Sequence, residues 1–189
     1  MRYAAFCAAL CAGSIAFAEP SAQPFQKTYG DAVPFSGAIQ FCDSYPQECV
    51  PQGTTERLVA TKELFELLAG INRDVNKTIE GTVEREEWWS IPANGKGDCE
   101  DIAILKRHIL IRLGLPSGAL LLAVVRDEDQ NGHALLIVRT TVGDFALDNK
   151  IMEVVPWHAL PYRWLQRQSI HDPRLWRMLE APVTASARK

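Results

Sequence analysis

The chain has 189 residues, 47% of them hydrophobic and 23% charged, and a formal net charge of −3. That length and apolar fraction supply one domain with a core of its own, while a mild acidic balance without any basic block gives no footing for nucleic-acid binding. The longest apolar run falls short of the roughly 20 residues that span a bilayer, so the protein is not expected to be integral to a membrane.

Arg2 is the only charged residue before Glu19, and the apolar run Tyr3 to Phe17 between them closes on Ala16-Phe17-Ala18. A short positive start, an apolar middle and an A-x-A end predict a signal peptide over 1–18, cleaved after Ala18, and an exported protein. Cys7 and Cys11 leave with it. Cys42 and Cys49 flank the polar turn Asp43 to Glu48 and are expected to form a local disulfide in an oxidising compartment. A metal site is the rival for that pair, but no histidine lies near it. Cys99 is then one odd thiol, which flags reactivity.

Residues 19–34, rich in Pro, Ser, Gln and Gly, read as an extended leader and not as a packed element. Apolar positions from Leu58 to Ile79 recur every three or four residues and predict an amphipathic helix over 55–79, with Gly70 its weak point and Asn72 and Asn76 on its polar side. Glu84 to Trp89 gives an acidic run and two tryptophans, of which at least one is expected in the core. A glycine-containing loop (93–97) then enters a buried helix that carries Cys99 in its first turn and stops at Gly114, ahead of Pro116. Strands are predicted over 118–126, 133–140 and 145–148, joined by polar turns. The remainder reads as an irregular C-terminal part with a short helix over 172–179 and a disordered tail over 181–189. One buried helix followed by an antiparallel meander is an α+β fold around a single core.

The chemistry centres on Gly97-Asp98-Cys99-Glu100-Asp101. A helix N-terminus offers free N–H groups and about half a positive charge, which favours a thiolate. His133 opens a strand after a polar turn, and Asp148 follows near the end of the next strand. A nucleophile, a base and a group to orient the base therefore occur in the order Cys99, His133, Asp148. His108 lies within the buried helix, while His158 and His171 lie in the irregular C-terminal part. Asp144, in the turn itself, is expected to be solvated. Asp127 to Gly132 copies the start of an EF-hand loop, but Val138 stands where the bidentate glutamate belongs, so turn chemistry is expected there.

Gly97-Asp98-Cys99-Glu100-Asp101-Ile102-Ala103, His133-Ala134 and Leu147-Asp148-Asn149 together resemble the bacterial transglutaminase-like cysteine proteinases. The likeness runs over roughly Pro34 to Gln168, with the domain placed at 35–180, and LapG-type members of the family are periplasmic proteases of biofilm adhesins. The resemblance implies a papain/transglutaminase-like fold, Cys99 as nucleophile, His133 as general base and Asp148 as its orienting group. It implies a calcium ion held by Asp98 and Glu100, with Asp101 beside them, although helix capping accounts for the same carboxylates. No organic cofactor is implied. Its expected partners are a secreted repeat adhesin as protein substrate and an inner-membrane regulatory receptor, and its expected location is the periplasm. Ile102, where the family usually carries tyrosine, is a departure. An amine-accepting acyltransferase and a non-catalytic periplasmic binding module are the alternatives.

Overall fold

The computed structural model describes residues 23–82 and 88–181. The expected signal peptide, the start of the expected leader, the Glu84 to Glu87 run and the tail beyond Ala181 lie outside these residues. The described elements are helices α1 (Ser36–Ser44), α2 (Lys62–Thr78) and α3 (Cys99–Arg112), and strands β1 (Asp31–Ala32), β2 (Glu80–Gly81), β3 (Lys96–Gly97), β4 (Leu120–Arg126), β5 (Gly132–Arg139), β6 (Asp144–Leu147), β7 (Val155–Pro156), β8 (Arg163–Gln168) and β9 (Trp176–Met178). Seven strands form one sheet in the order β1-β9-β8-β4-β5-β6-β7, antiparallel throughout. The α+β expectation stands.

The central strands explain their own composition. Leu120, Leu122 and Val124 of β4, with Leu136 and Val138 of β5, pack on the helices. Ala123, Val125, Leu135 and Ile137 pack on the other face with Ala146 and Trp164. A strand buried on both faces needs a continuous apolar run, at roughly 1.5–3 kcal/mol for each large side chain buried.

Helix α2 starts where Thr61 accepts a bond from Leu64 N at 3.2 Å and runs unbroken through Gly70. Asn72 and Asn76 are not on a solvated face. Asn72 is fully buried and donates to Ile151 O and Met152 O, while Asn76 donates to Asp148 O and Ile151 O. A side-chain amide that satisfies loop carbonyls belongs inside, which hydrophobic periodicity alone does not register. Helix α3 ends at Gly114, whose φ of +92° suits glycine. Its buried Arg107 donates to Leu120 O and Glu48 O, both at 2.9 Å. The Cys42–Cys49 disulfide is present and closes the turn that carries Glu48.

Three expectations are corrected. Residues 23–34 are extended but packed: Pro24 O accepts from Asp144 N, and β1 pairs with β9. The C-terminal part is strand, not helix, and β8 sits inside the sheet. Its sequence, Arg-Trp-Leu-Gln-Arg-Gln, hides that position because buried amides do the bonding; Gln168 accepts from Leu122 N and donates to Pro173 O. Asp144 is 1% exposed and accepts from Gln26 N and Arg57. Asp144→Asn is therefore expected to lower stability by roughly 2–4 kcal/mol, as removal of a buried partner charge does. Urea unfolding that finds the variant as stable as the parent would refute this.

Candidate active site

Gly97 leads into the site through a close approach: a Cβ there would lie 2.8 Å from Asp101 Cβ. Asp98 takes the N-cap position of α3 without a side-chain cap bond, and its Oδ1 is buried with no hydrogen-bond partner. Asp101 accepts from Ser90 N at 2.7 Å, which ties the first turn of α3 to the segment after Trp88. Cys99 is the free cysteine of the described residues. Its thiol donates to Glu100 Oε2 at 3.2 Å, and its sulfur accepts from Ala134 N at 3.4 Å. The nucleophile candidate thus touches the residue next to His133.

His133 Nε2 lies 2.8 Å from Asp148 Oδ1, with both side chains buried. The antiparallel register of β5 and β6 (Leu136 opposite Leu147) brings them together across fifteen residues. Lys150 N donates to the same oxygen at 3.0 Å. Tyr162 OH donates to the other, Oδ2, at 2.8 Å, and its ring meets His133 edge-on at 5.7 Å. Lys150 Nζ reaches Asp127 Oδ2 at 2.6 Å and clamps the turn before His133 to the loop after Asp148. That turn is organised by Asp127 Oδ1, which accepts from Asp129 N and Asn131 N, as turn chemistry requires. Tyr162 and Lys150 were not legible in the sequence; an irregular stretch after Pro161 carries no periodic signal. The other histidines lie elsewhere: His108 pairs with Glu48, and His171 lies near Glu56.

Electrostatics divide the site. Burial alone would raise Asp148, but the bonds from His133, Lys150 N and Tyr162 outweigh it and hold the carboxyl below its ordinary value of 3.8. Lys106, fully buried on α3, is pushed down to about 7 by burial, with Asp148 opposing. At Cys99 the expected thiolate-favouring effect is overridden: burial and then the Glu100 carboxylate push the thiol up to about 12. Glu100 is itself raised to about 7, by burial first and then by the Asp98 charge. These carboxylates crowd each other and the thiol, and among the described residues neither Asp98 nor Glu100 has an ion-pair partner.

Cys99, Glu100, His133 and Ala134 line one cavity of about 130 Å³, with Phe35, Trp89 and Leu165 among its apolar walls. Trp89 is both core and wall, stacked edge-on against Trp176, whereas Trp88 is exposed. Among the described residues no group of three or more His, Cys, Asp or Glu forms a metal cluster, and no helix is long and apolar enough to cross a membrane.

The family model of the bacterial transglutaminase-like cysteine proteinases matches residues 28–183. The chain belongs to that family. Its fold is similar to three structures of Legionella pneumophila LapG. The calcium-bound form is 22% identical, with 65% of this chain and 75% of that one covered and a TM-score of 0.54. The EGTA-treated form is 22% identical, with 55% and 62% covered and a TM-score of 0.51. A third is 23% identical, with 53% and 62% covered and a TM-score of 0.49; the match thus spans under two thirds of that LapG chain. No curated protein matches the chain.

Tyr162→Phe keeps the ring on His133 and removes one bond to a charged carboxylate, a loss of about 1.5–3 kcal/mol. Because the folded pKa of Asp148 is depressed, that contribution is present above 3.8 and is lost as pH falls through the folded value. Urea midpoints of parent and variant should differ at neutral pH and converge as pH drops below 3.8; a gap independent of pH would contradict the assignment.

Proposed function

We propose that this protein is an exported thiol endopeptidase, with Cys99 as nucleophile, His133 as general base and acid, and Asp148 as the group that orients His133. The observation that carries the reading is the 2.8 Å His133–Asp148 contact in the cavity that Cys99 also lines. His133 takes the Cys99 thiol proton as the sulfur attacks a peptide carbonyl carbon, forming a C–S bond while the carbonyl π electrons move to the oxygen. Cys99 N–H, at the first position of α3, is free to stabilise the oxyanion. His133 delivers a proton to the leaving amine as the C–N bond breaks. Water, deprotonated by His133, then hydrolyses the thioester and restores the thiol. A 130 Å³ cavity suits small residues at the cut. The substrate we assign is the N-terminal region of a large secreted adhesin, cleaved in the periplasm, with an inner-membrane receptor as regulator.

Calcium belongs to the same proposal. LapG is known in calcium-bound and EGTA-treated forms. Here the Asp98 oxygen without a partner and the crowded Glu100 carboxyl suit a hard cation, with backbone and water oxygens needed to complete the shell. The missing cap bond of Asp98 weighs against helix capping as the role of that carboxylate. Bound by Asp98 and Glu100, calcium would neutralise the charges that push the Cys99 thiol upward.

Two measurements test these assignments. On a purified adhesin N-terminal fragment, Cys99→Ala and His133→Ala should each lower turnover by at least about a hundredfold, and the double variant should be scarcely worse, since groups that act together lose activity non-additively. Additive losses, or full activity in either single variant, would sink the triad. Product masses should show a new carboxyl terminus and no amine adduct. For calcium, EGTA should abolish cleavage and lower the melting midpoint, and Ca²⁺ but not Mg²⁺ should restore both. Asp98→Asn with Glu100→Gln should remove the midpoint response; a response that persists would place the ion elsewhere.

A further inference from the structure

Strand β8 sets Arg167 directly opposite Arg177 of β9, and Arg177 stands opposite Asp31 of β1. Residues opposite one another in a sheet share a face at about 5 Å, and like charges so placed are destabilising unless something answers them. Asp31 forms an ion pair with Arg177. Arg167 has no such partner. It is only 4% exposed, its guanidinium donates to the neighbouring Gln168 O at 3.0 Å, and its Nε is buried without an acceptor. No carboxylate among the described residues lies within ion-pairing distance of it. Asp144 attracts it from further away, but that carboxylate already serves Arg57 and Gln26 N. Arg139, also buried, repels it. Burial and then Arg139 push Arg167 down to about 10. A guanidinium carries five donors and no acceptor, so burying one without an anion is costly.

The two arginines line a cavity of about 200 Å³ with Thr28, Ser169 and His171. Ser169 Oγ accepts from His171 N, which leaves the hydroxyl proton to donate. We propose that this cavity is a binding site for a small tetrahedral oxyanion of the phosphate class, with Arg167 and Arg177 as its charged anchors. The anion supplies the counter-charge that Arg167 lacks, since Asp31 answers only Arg177. Guanidinium forks bind such oxygens in pairs, and the Thr28 and Ser169 hydroxyls offer further donors. The cavity holds one such ion and a few waters at about 30 Å³ each. The site is separate from the Cys99 cavity and does not rest on the assigned activity.

The test is titration calorimetry and thermal melting of the purified protein with inorganic phosphate, against chloride at matched ionic strength. Phosphate should bind at one site and raise the melting midpoint by linkage. Arg167→Met and Arg177→Met should each weaken binding by about tenfold or more, as loss of a charged hydrogen bond does. Should Arg167→Met fail to fold, Arg177→Met alone decides. Glycerol phosphate forms the second arm: equal binding marks an esterified phosphate as the source, and binding of inorganic phosphate alone marks the free ion. No phosphate-specific heat or shift at millimolar concentration, or unchanged affinity in the folded variants, would overturn the proposal.

Discussion

A carboxylate sealed from water must find its hydrogen bonds within the protein, or take up a proton and lose its charge. Asp148 is fully buried and stays charged because His133, Tyr162 and the Lys150 backbone each donate to it. Its carbonyl oxygen takes a fourth bond, from Asn76. These partners come from β5, from the stretch before β8, from the loop after β6 and from α2. The carboxylate that bonds His133 is thus also where four parts of the chain converge, and an imidazole held this way is fixed in place.

The thiol has to arrive at the same place, and α3 is anchored to deliver it. Near its C-terminal half, Arg107 binds Leu120 O of β4 and Glu48 O of the turn closed by the disulfide. At its start, Asp101 holds Ser90 N, and Gly97 permits the tight approach. The same first turn places two further carboxylates around Cys99, which work against thiolate formation. Position and electrostatics are therefore in tension at this helix terminus, and a cation there would relieve the tension.

Much of this was legible in the sequence. Cys99 sat between a glycine-containing loop and an apolar helix, and that boundary survives in the structure. The His133–Asp148 contact follows from two apolar runs and a short turn, since antiparallel register fixes which residues meet. What stayed hidden were polar groups on buried faces. Asn72, Asn76, Asp144, Arg167 and Gln168 look like surface residues in any hydrophobicity pattern, yet all but the half-buried Asn76 are buried, and all but Arg167 bond groups distant in sequence. Strand β8 was missed for that reason, and Tyr162 because it stands outside any periodic segment. The elevated thiol had no sequence signal, as local helix-terminus reasoning omits the burial that dominates it.

The central claim is that His133, held by Asp148, activates Cys99. The most direct measurement is the alkylation rate of Cys99 by iodoacetamide in the non-reduced protein with Ca²⁺ in the buffer, with peptide mapping to locate the label. The parent should react at Cys99 while Cys42 and Cys49 stay unlabelled. On the proposed role of His133 as base, His133→Ala should slow that reaction about tenfold or more, since the thiol then has no imidazole to take its proton. Equal rates in parent and variant would show that His133 does not act on the thiol, and the account of this site would fail.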